Sequence, residues 1–133
     1  MMVLDSSAVL AYLNGEPGSD MVATHIMGGQ ACILAVNQTE VLSKLSDWGM
    51  PMEDACAALA KLALPVTPYT AELSIEAARL RQITRTQGLS LGDRACLALA
   101  RQQQCAVLTG DRPWVDLADA LGLDIRTFRP ASH

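Results

Sequence analysis

The chain has 133 residues, half of them hydrophobic and 18% charged, which excludes a disordered polypeptide and suits one domain whose core needs no staple. Net charge is −4, which argues against a broadly basic nucleic-acid-binding protein. The balance is uneven, however: residues 1–66 carry a net −5, while residues 67–133 hold all the arginines and a net +1.

Met2-Val3-Leu4 is a short apolar run ending in Asp5, and Ser6-Ser7 opens a helical pattern that continues through Leu13. Asn14-Gly15-Glu16-Pro17-Gly18 is a turn cluster, and residues 19–27 read as a second helix closed by Gly28-Gly29. The apolar run 31–35 has strand length and suits a strand covered on both faces. A helix is predicted from Asn37 to Trp48, another over 51–63, and a brief strand over 64–67. A long helix follows over 70–86 and is closed by Gly88, with a further helix over 91–104. Residues 105–109 form an apolar strand, Asp111-Arg112-Pro113 starts a short helix, and 124–126 suit an edge strand. Strands alternating with helices imply right-handed crossovers and a parallel sheet with helices on both faces, a three-layer α/β/α sandwich over residues 1–133.

Four cysteines (Cys32, Cys56, Cys96, Cys105) show no metal-binding spacing and read as buried small hydrophobes in a reducing compartment. No basic region precedes the first apolar run, and no run reaches the roughly 18 residues of a membrane span, so a cytoplasmic protein is expected. His25 and His133 have no serine or cysteine nucleophile arranged near them. Phosphate-cradling glycine motifs are absent from the sequence. Arg79, Arg81 and Arg85 share one predicted helix and can form a local patch for a phosphate backbone, or simply a solvated face.

The carboxylates are more informative. In an open parallel sheet the ligand crevice lies beyond the carboxyl ends of the strands. Asp5 ends the first strand, and Asp111 follows the fourth by one glycine. Glu40 is predicted in the first turn of the helix after the second strand, and Asp93 near the start of its own helix. All four thus converge on one edge. Like charges about 4 Å apart repel by roughly 4 kcal/mol at intermediate dielectric, a cost that a divalent cation removes. Carboxylates with retained waters suit magnesium or manganese. Helix capping competes with this reading: Asn37-x-x-Glu40 and Ser90-x-x-Asp93 both fit capping boxes, and Asp111 fits an N-cap. Asp5, directly after Val-Leu in a predicted central strand, has no evident structural partner.

Val3-Leu4-Asp5-Ser6-Ser7-Ala8-Val9-Leu10-Ala11 with Glu16-Pro17-Gly18 resembles the opening of bacterial PIN-domain toxins of the VapC type. Asn37-Gln38-Thr39-Glu40-Val41, Leu91-Gly92-Asp93-Arg94-Ala95-Cys96 and Leu108-Thr109-Gly110-Asp111-Arg112-Pro113-Trp114 resemble the later motifs of that family, in order, from residue 2 to about residue 127. The resemblance implies an endoribonuclease dependent on Mg²⁺ or Mn²⁺, with one or two ions held by Asp5, Glu40, Asp93 and Asp111. It further implies an RNA substrate (a transfer RNA or a ribosomal RNA loop), a cognate antitoxin and a homodimer. Thr109 is expected to orient Asp5 or Asp111. Ser6 or Ser7 would contact a phosphate or a bound water unless N-capping explains them, and Asp116 falls on a solvated face. Hydrolysis by an activated water would leave 5′-phosphate and 3′-hydroxyl ends.

Two rivals share the fold: a non-catalytic interaction module and a structure-specific DNA nuclease. A phosphoryl-accepting receiver domain fits poorly, because both lysines, Lys44 and Lys61, lie in the first half.

Overall fold

A computed structural model describes residues 1–129, so His133 lies outside the described residues. Strand β1 (Met2–Leu4) leads through helices α1 (Ser6–Leu13) and α2 (Ser19–Met27) to β2 (Ala31–Leu34). Helices α3 (Ala35–Asp47) and α4 (Met52–Ala60) precede the two-residue β3 (Val66–Thr67). Helices α5 (Ala71–Thr84) and α6 (Leu91–Gln103) then lead to β4 (Ala106–Thr109). A 3₁₀ helix (Arg112–Leu117), a short α7 (Ala118–Leu121) and β5 (Ile125–Thr127) complete the described chain.

The strands form one sheet in the order β3-β2-β1-β4-β5, all neighbours parallel, with 124–126 at the edge as its sequence suggests. Alternation along each strand divides the apolar side chains between two cores. Val3, Cys32, Leu34 and Val107 face α5, α6 and Trp114, whereas Met2, Leu4, Ile33 and Leu108 face α1, α2, α3 and α4. Both faces of the sheet are therefore covered, as in the expected three-layer α/β/α sandwich. Of the cysteines read as buried, Cys32 and Cys96 are, Cys105 is half-buried and Cys56 is exposed on α4.

The chain leaves β1 toward β2 and β3, then crosses to the other side of β1 to form β4 and β5. β1 and β4 are neighbours whose connections run in opposite directions, and in open parallel sheets the carboxyl ends at such a switch are where ligands bind. Asp5 and Asp111 follow these two strands. Gly18 lets the turn after α1 pack on the end of β5: its φ of +87° is left-handed, and a Cβ there would collide with the carbonyl oxygen of Phe128. Among the described residues, no helix is long and apolar enough to cross a membrane.

Candidate functional site

Asp5 is the N-cap of α1, which corrects the expectation that it lacks a structural partner. Its Oδ1 accepts the Ala8 N–H at 2.9 Å and the Ser7 hydroxyl at 2.7 Å. Its Oδ2 accepts the fully buried Thr109 hydroxyl at 2.5 Å. The strand run that places Asp5 in the sheet also buries it, leaving it 5% exposed. Desolvation raises its pKa from the ordinary 3.8 to about 6, against the lowering pull of these three hydrogen bonds, and the charge of Asp93 adds to the rise.

Because Asp5 caps α1, neither serine after it is needed as the cap. Ser7 Oγ donates to Asp5 and accepts the Gly110 N–H at 2.8 Å, tying the turn after β1 to the turn after β4. Ser6 is half-buried and makes no side-chain hydrogen bond among the described residues. Of the two carboxylates it was expected to orient, Thr109 touches only that of Asp5; its Oγ1 also accepts the backbone N–H of Asp111 at 3.0 Å and does not reach the Asp111 carboxylate.

Glu40 lies in the second turn of α3, not the first, because the helix starts at Ala35 directly from β2. The Asn37-x-x-Glu40 capping box therefore does not form. Asn37 is buried instead, and its Nδ2 donates to Glu40 Oε1 at 2.8 Å and to the Gly92 carbonyl at 3.1 Å. Gly92 leaves room for that carboxylate: a Cβ at this position would fall 2.3 Å from Glu40 Oε2.

Asp93 does form the capping box with Ser90. Its Oδ2 accepts the Ser90 N–H at 3.0 Å and its own N–H donates to Ser90 Oγ at 3.1 Å. Asp111 occupies the N-cap position of the 3₁₀ helix, but its side chain caps nothing and stays exposed, so that expectation fails. Asp116 is exposed, as its spacing suggests.

Cys96 lies one turn beyond Asp93 and is fully buried. Burial pushes its thiol well above the ordinary 9.0, and the charges of Asp5, Asp93 and Glu40 push it further. Glu40 meets the first turn of α6 through Asn37 and the Gly92 carbonyl, Asp93 lies in that same turn, and Asp111 is exposed, linked through its backbone to Thr109. Among the described residues, no three acid, cysteine or histidine side chains are already grouped as a metal cage. Magnesium is commonly held by one or two carboxylates and retained waters, not a full protein cage. An all-oxygen set with a desolvated carboxylate at its centre suits such an ion better than it suits zinc. His25 sits on α2 with Nδ1 against the Met21 carbonyl, apart from this chemistry.

The sequence gives no hint of Arg129. Its Nε donates to the Gly110 carbonyl at 2.9 Å and its Nη1 to Glu16 Oε1 at 3.1 Å. Glu16 of the early turn thereby supports the loop between Thr109 and Asp111, a contact between residues more than a hundred positions apart that local pattern does not reveal. Asn37 carries a weak signal, as an amide three residues before a glutamate on a helix.

A sequence profile described as the PIN domain matches residues 2–120. Among curated proteins, no sequence matches significantly. Three solved structures are similar over nearly their whole length. A chain of the crystal structure of VapBC2 from Rickettsia felis bound to a DNA fragment from its promoter aligns at a TM-score of 0.73 and 14% identity, over 95% of this chain and 97% of that one. A toxin–antitoxin complex from Klebsiella pneumoniae aligns at 0.74 and 16% identity, over 98% and 100%. FitAcB from Neisseria gonorrhoeae aligns at 0.70 and 15% identity, over 96% and 98%. At these identities the likeness establishes the fold.

Proposed function

The chain belongs to the PIN domain family, and from that premise we propose that residues 1–133 form one metal-dependent endoribonuclease domain that acts as the toxin of a toxin–antitoxin pair. The observation that carries this reading is the Asp5 carboxylate buried at the end of β1, its pKa raised to about 6 by desolvation, with the charge of Asp93 adding to the rise. A buried carboxylate with so shifted a pKa is a candidate functional group beyond its service as a helix cap, and the holding of a cation is the function that suits it. The solved structures named above include toxin–antitoxin complexes, which supports a cognate antitoxin partner, and the family resemblance supports a homodimer.

In this reading Asp5, Glu40 and Asp93 hold one or two Mg²⁺ or Mn²⁺ ions, directly or through water, and Asp111 joins from the rim. A metal held by these residues would supply a lowered pKa for its bound water and neutralisation of charge on the phosphate. The protein's own groups hold the carboxylates still: Ser7 and Thr109 for Asp5, Asn37 for Glu40, and the Ser90 amide for Asp93. With no histidine at the site, the proton of the attacking water passes to a carboxylate oxygen free of hydrogen bonds, Glu40 Oε2 or Asp93 Oδ1. Water, not the 2′-hydroxyl, is the nucleophile, so total RNA incubated with protein and Mn²⁺ should yield 5′-phosphate and 3′-hydroxyl ends, and EDTA should stop the reaction. Cyclic 2′,3′-phosphate ends would reject this mechanism.

Gly92→Ala separates site from scaffold. Alanine is favoured over glycine in a helix by roughly 0.5–1 kcal/mol, so the melt should not fall. Its methyl displaces the Glu40 carboxylate, and cleavage should drop by roughly 10- to 100-fold, as when metal-site supports are removed. Wild-type cleavage by this variant would remove Glu40 from the site.

A non-catalytic interaction module is the second reading, favoured by the service of Asp93 as a helix cap. Folded, Mn²⁺-binding protein that cuts no RNA would support it.

A further inference from the structure

The basic helix face of the sequence divides in the structure. Arg79 pairs with Glu76 at 3.3 Å. Arg81 and Arg85 line a cleft between the end of α5 and the start of α6, where Thr84, Gly88, Leu89 and Arg94 complete the wall. No acidic side chain lines it, and none of its three arginines forms an ion pair among the described residues. Arg94 is half-buried. Its Nη1 donates to the Ala77 carbonyl at 3.3 Å, and its Nε is enclosed with no hydrogen-bond partner.

Crowding of like charges is costly, and a bound anion relieves it. The cleft holds about 180 Å³, below the roughly 300–1,000 Å³ of small-molecule pockets. It fits one compact anion better than a whole nucleotide. Guanidinium groups grip phosphate through paired N–H donors, and no aromatic residue lines the cleft to stack a base. Arg94 directly follows Asp93. Successive helix residues are set about 100° apart, so cleft and carboxylate occupy neighbouring faces of the first turn of α6.

We propose that this cleft holds a backbone phosphate of the RNA strand close to the phosphodiester that is cut. The proposal rests on the nuclease reading above and adds a grip that positions the strand without reading its bases. Three guanidinium groups around so small a space favour one tetrahedral, multiply charged anion over the spaced carboxylates of an acidic peptide.

The test is the affinity for a single-stranded RNA oligonucleotide, by fluorescence anisotropy in EDTA, where nothing is cut. Wild type is compared with R81E/R85E, whose altered residues are exposed and leave the core intact. Binding should weaken by at least about tenfold, and the plot of log K against log salt should flatten by about 0.7 for each phosphate that the protein no longer neutralises. Unchanged affinity and slope overturn the cleft, while EDTA-sensitive cleavage, judged separately, keeps the nuclease reading standing. An equal weakening in R79E/R126E, placed outside the cleft, reduces the effect to overall charge and also overturns it. Wild-type protein that binds an oligoglutamate peptide but no RNA overturns both readings.

Discussion

Asp5→Asn should lower RNA cleavage by a factor of at least about 10²–10⁴, the range expected when a positioned charged group is removed from a reacting centre. The substitution is nearly isosteric and spares the fold. An asparagine oxygen still accepts from the Ser7 hydroxyl and the Ala8 amide, so α1 keeps its cap. On the other side its NH₂ meets Thr109, whose hydroxyl has a second lone pair free beside the one facing the Asp111 amide. What disappears is the charge at the centre of the site. Cleavage of total RNA with Mn²⁺, read beside a thermal melt of the same sample, checks the prediction. Full activity in a folded variant would take Asp5 out of the chemistry.

The second large effect is on stability, in metal-free protein. Asp5 has a folded pKa of about 6 against an ordinary 3.8, so the fold disfavours its ionised form. Below the lower value it is protonated in both states and contributes no pH dependence. Between the two values the folded chain binds the extra proton, and stability falls as pH rises. Above about pH 6 the whole penalty is present, about 3 kcal/mol for a shift of this size. Urea denaturation in EDTA should show wild type losing stability across that window relative to Asp5→Asn, and Mn²⁺ should restore it. The comparison isolates Asp5 from groups of opposite sign such as Asp124, whose carboxyl is lowered by its hydrogen bonds from Arg126. A difference between the two proteins that does not vary with pH would show that Asp5 is not desolvated as described.

Much of the architecture is legible because apolar runs and their breaks are local. Val3-Leu4 before Asp5 and Val107-Leu108-Thr109 before Gly110-Asp111 announce strands that deliver acids to one edge. The capping box of Ser90 and Asp93 is readable for the same reason, since its partners are three residues apart. Asn37 and Glu40 mimic that signature and mislead. Helix α3 grows out of β2 at Leu34 and Ala35, where no polar side chain marks the start. The real cap of the site, Asp5, is hidden by its place at the end of an apolar run, where burial suggests a functional charge and nothing hints at the amide behind it. Asn37 with Gly92, Arg129 with Gly110 and Arg94 with Ala77 belong to a third kind of pairing. These residues meet only after helices and strands have docked, and no window of sequence contains both members.

The hydrogen bond from Thr109 to Asp5 closes a separation of 104 residues, and β1 meets β4 across a similar gap. Helices form through neighbours in sequence and assemble early, whereas so distant a strand pairing must first overcome the entropy of closing the loop between them. The junction of Asp5 with Thr109 therefore carries a larger closure cost than any contact within a helix. A chain with its helices already wound but these strands still apart has Asp5 and Thr109 unjoined, and the two strand ends share an edge only when the fourth strand settles beside the first.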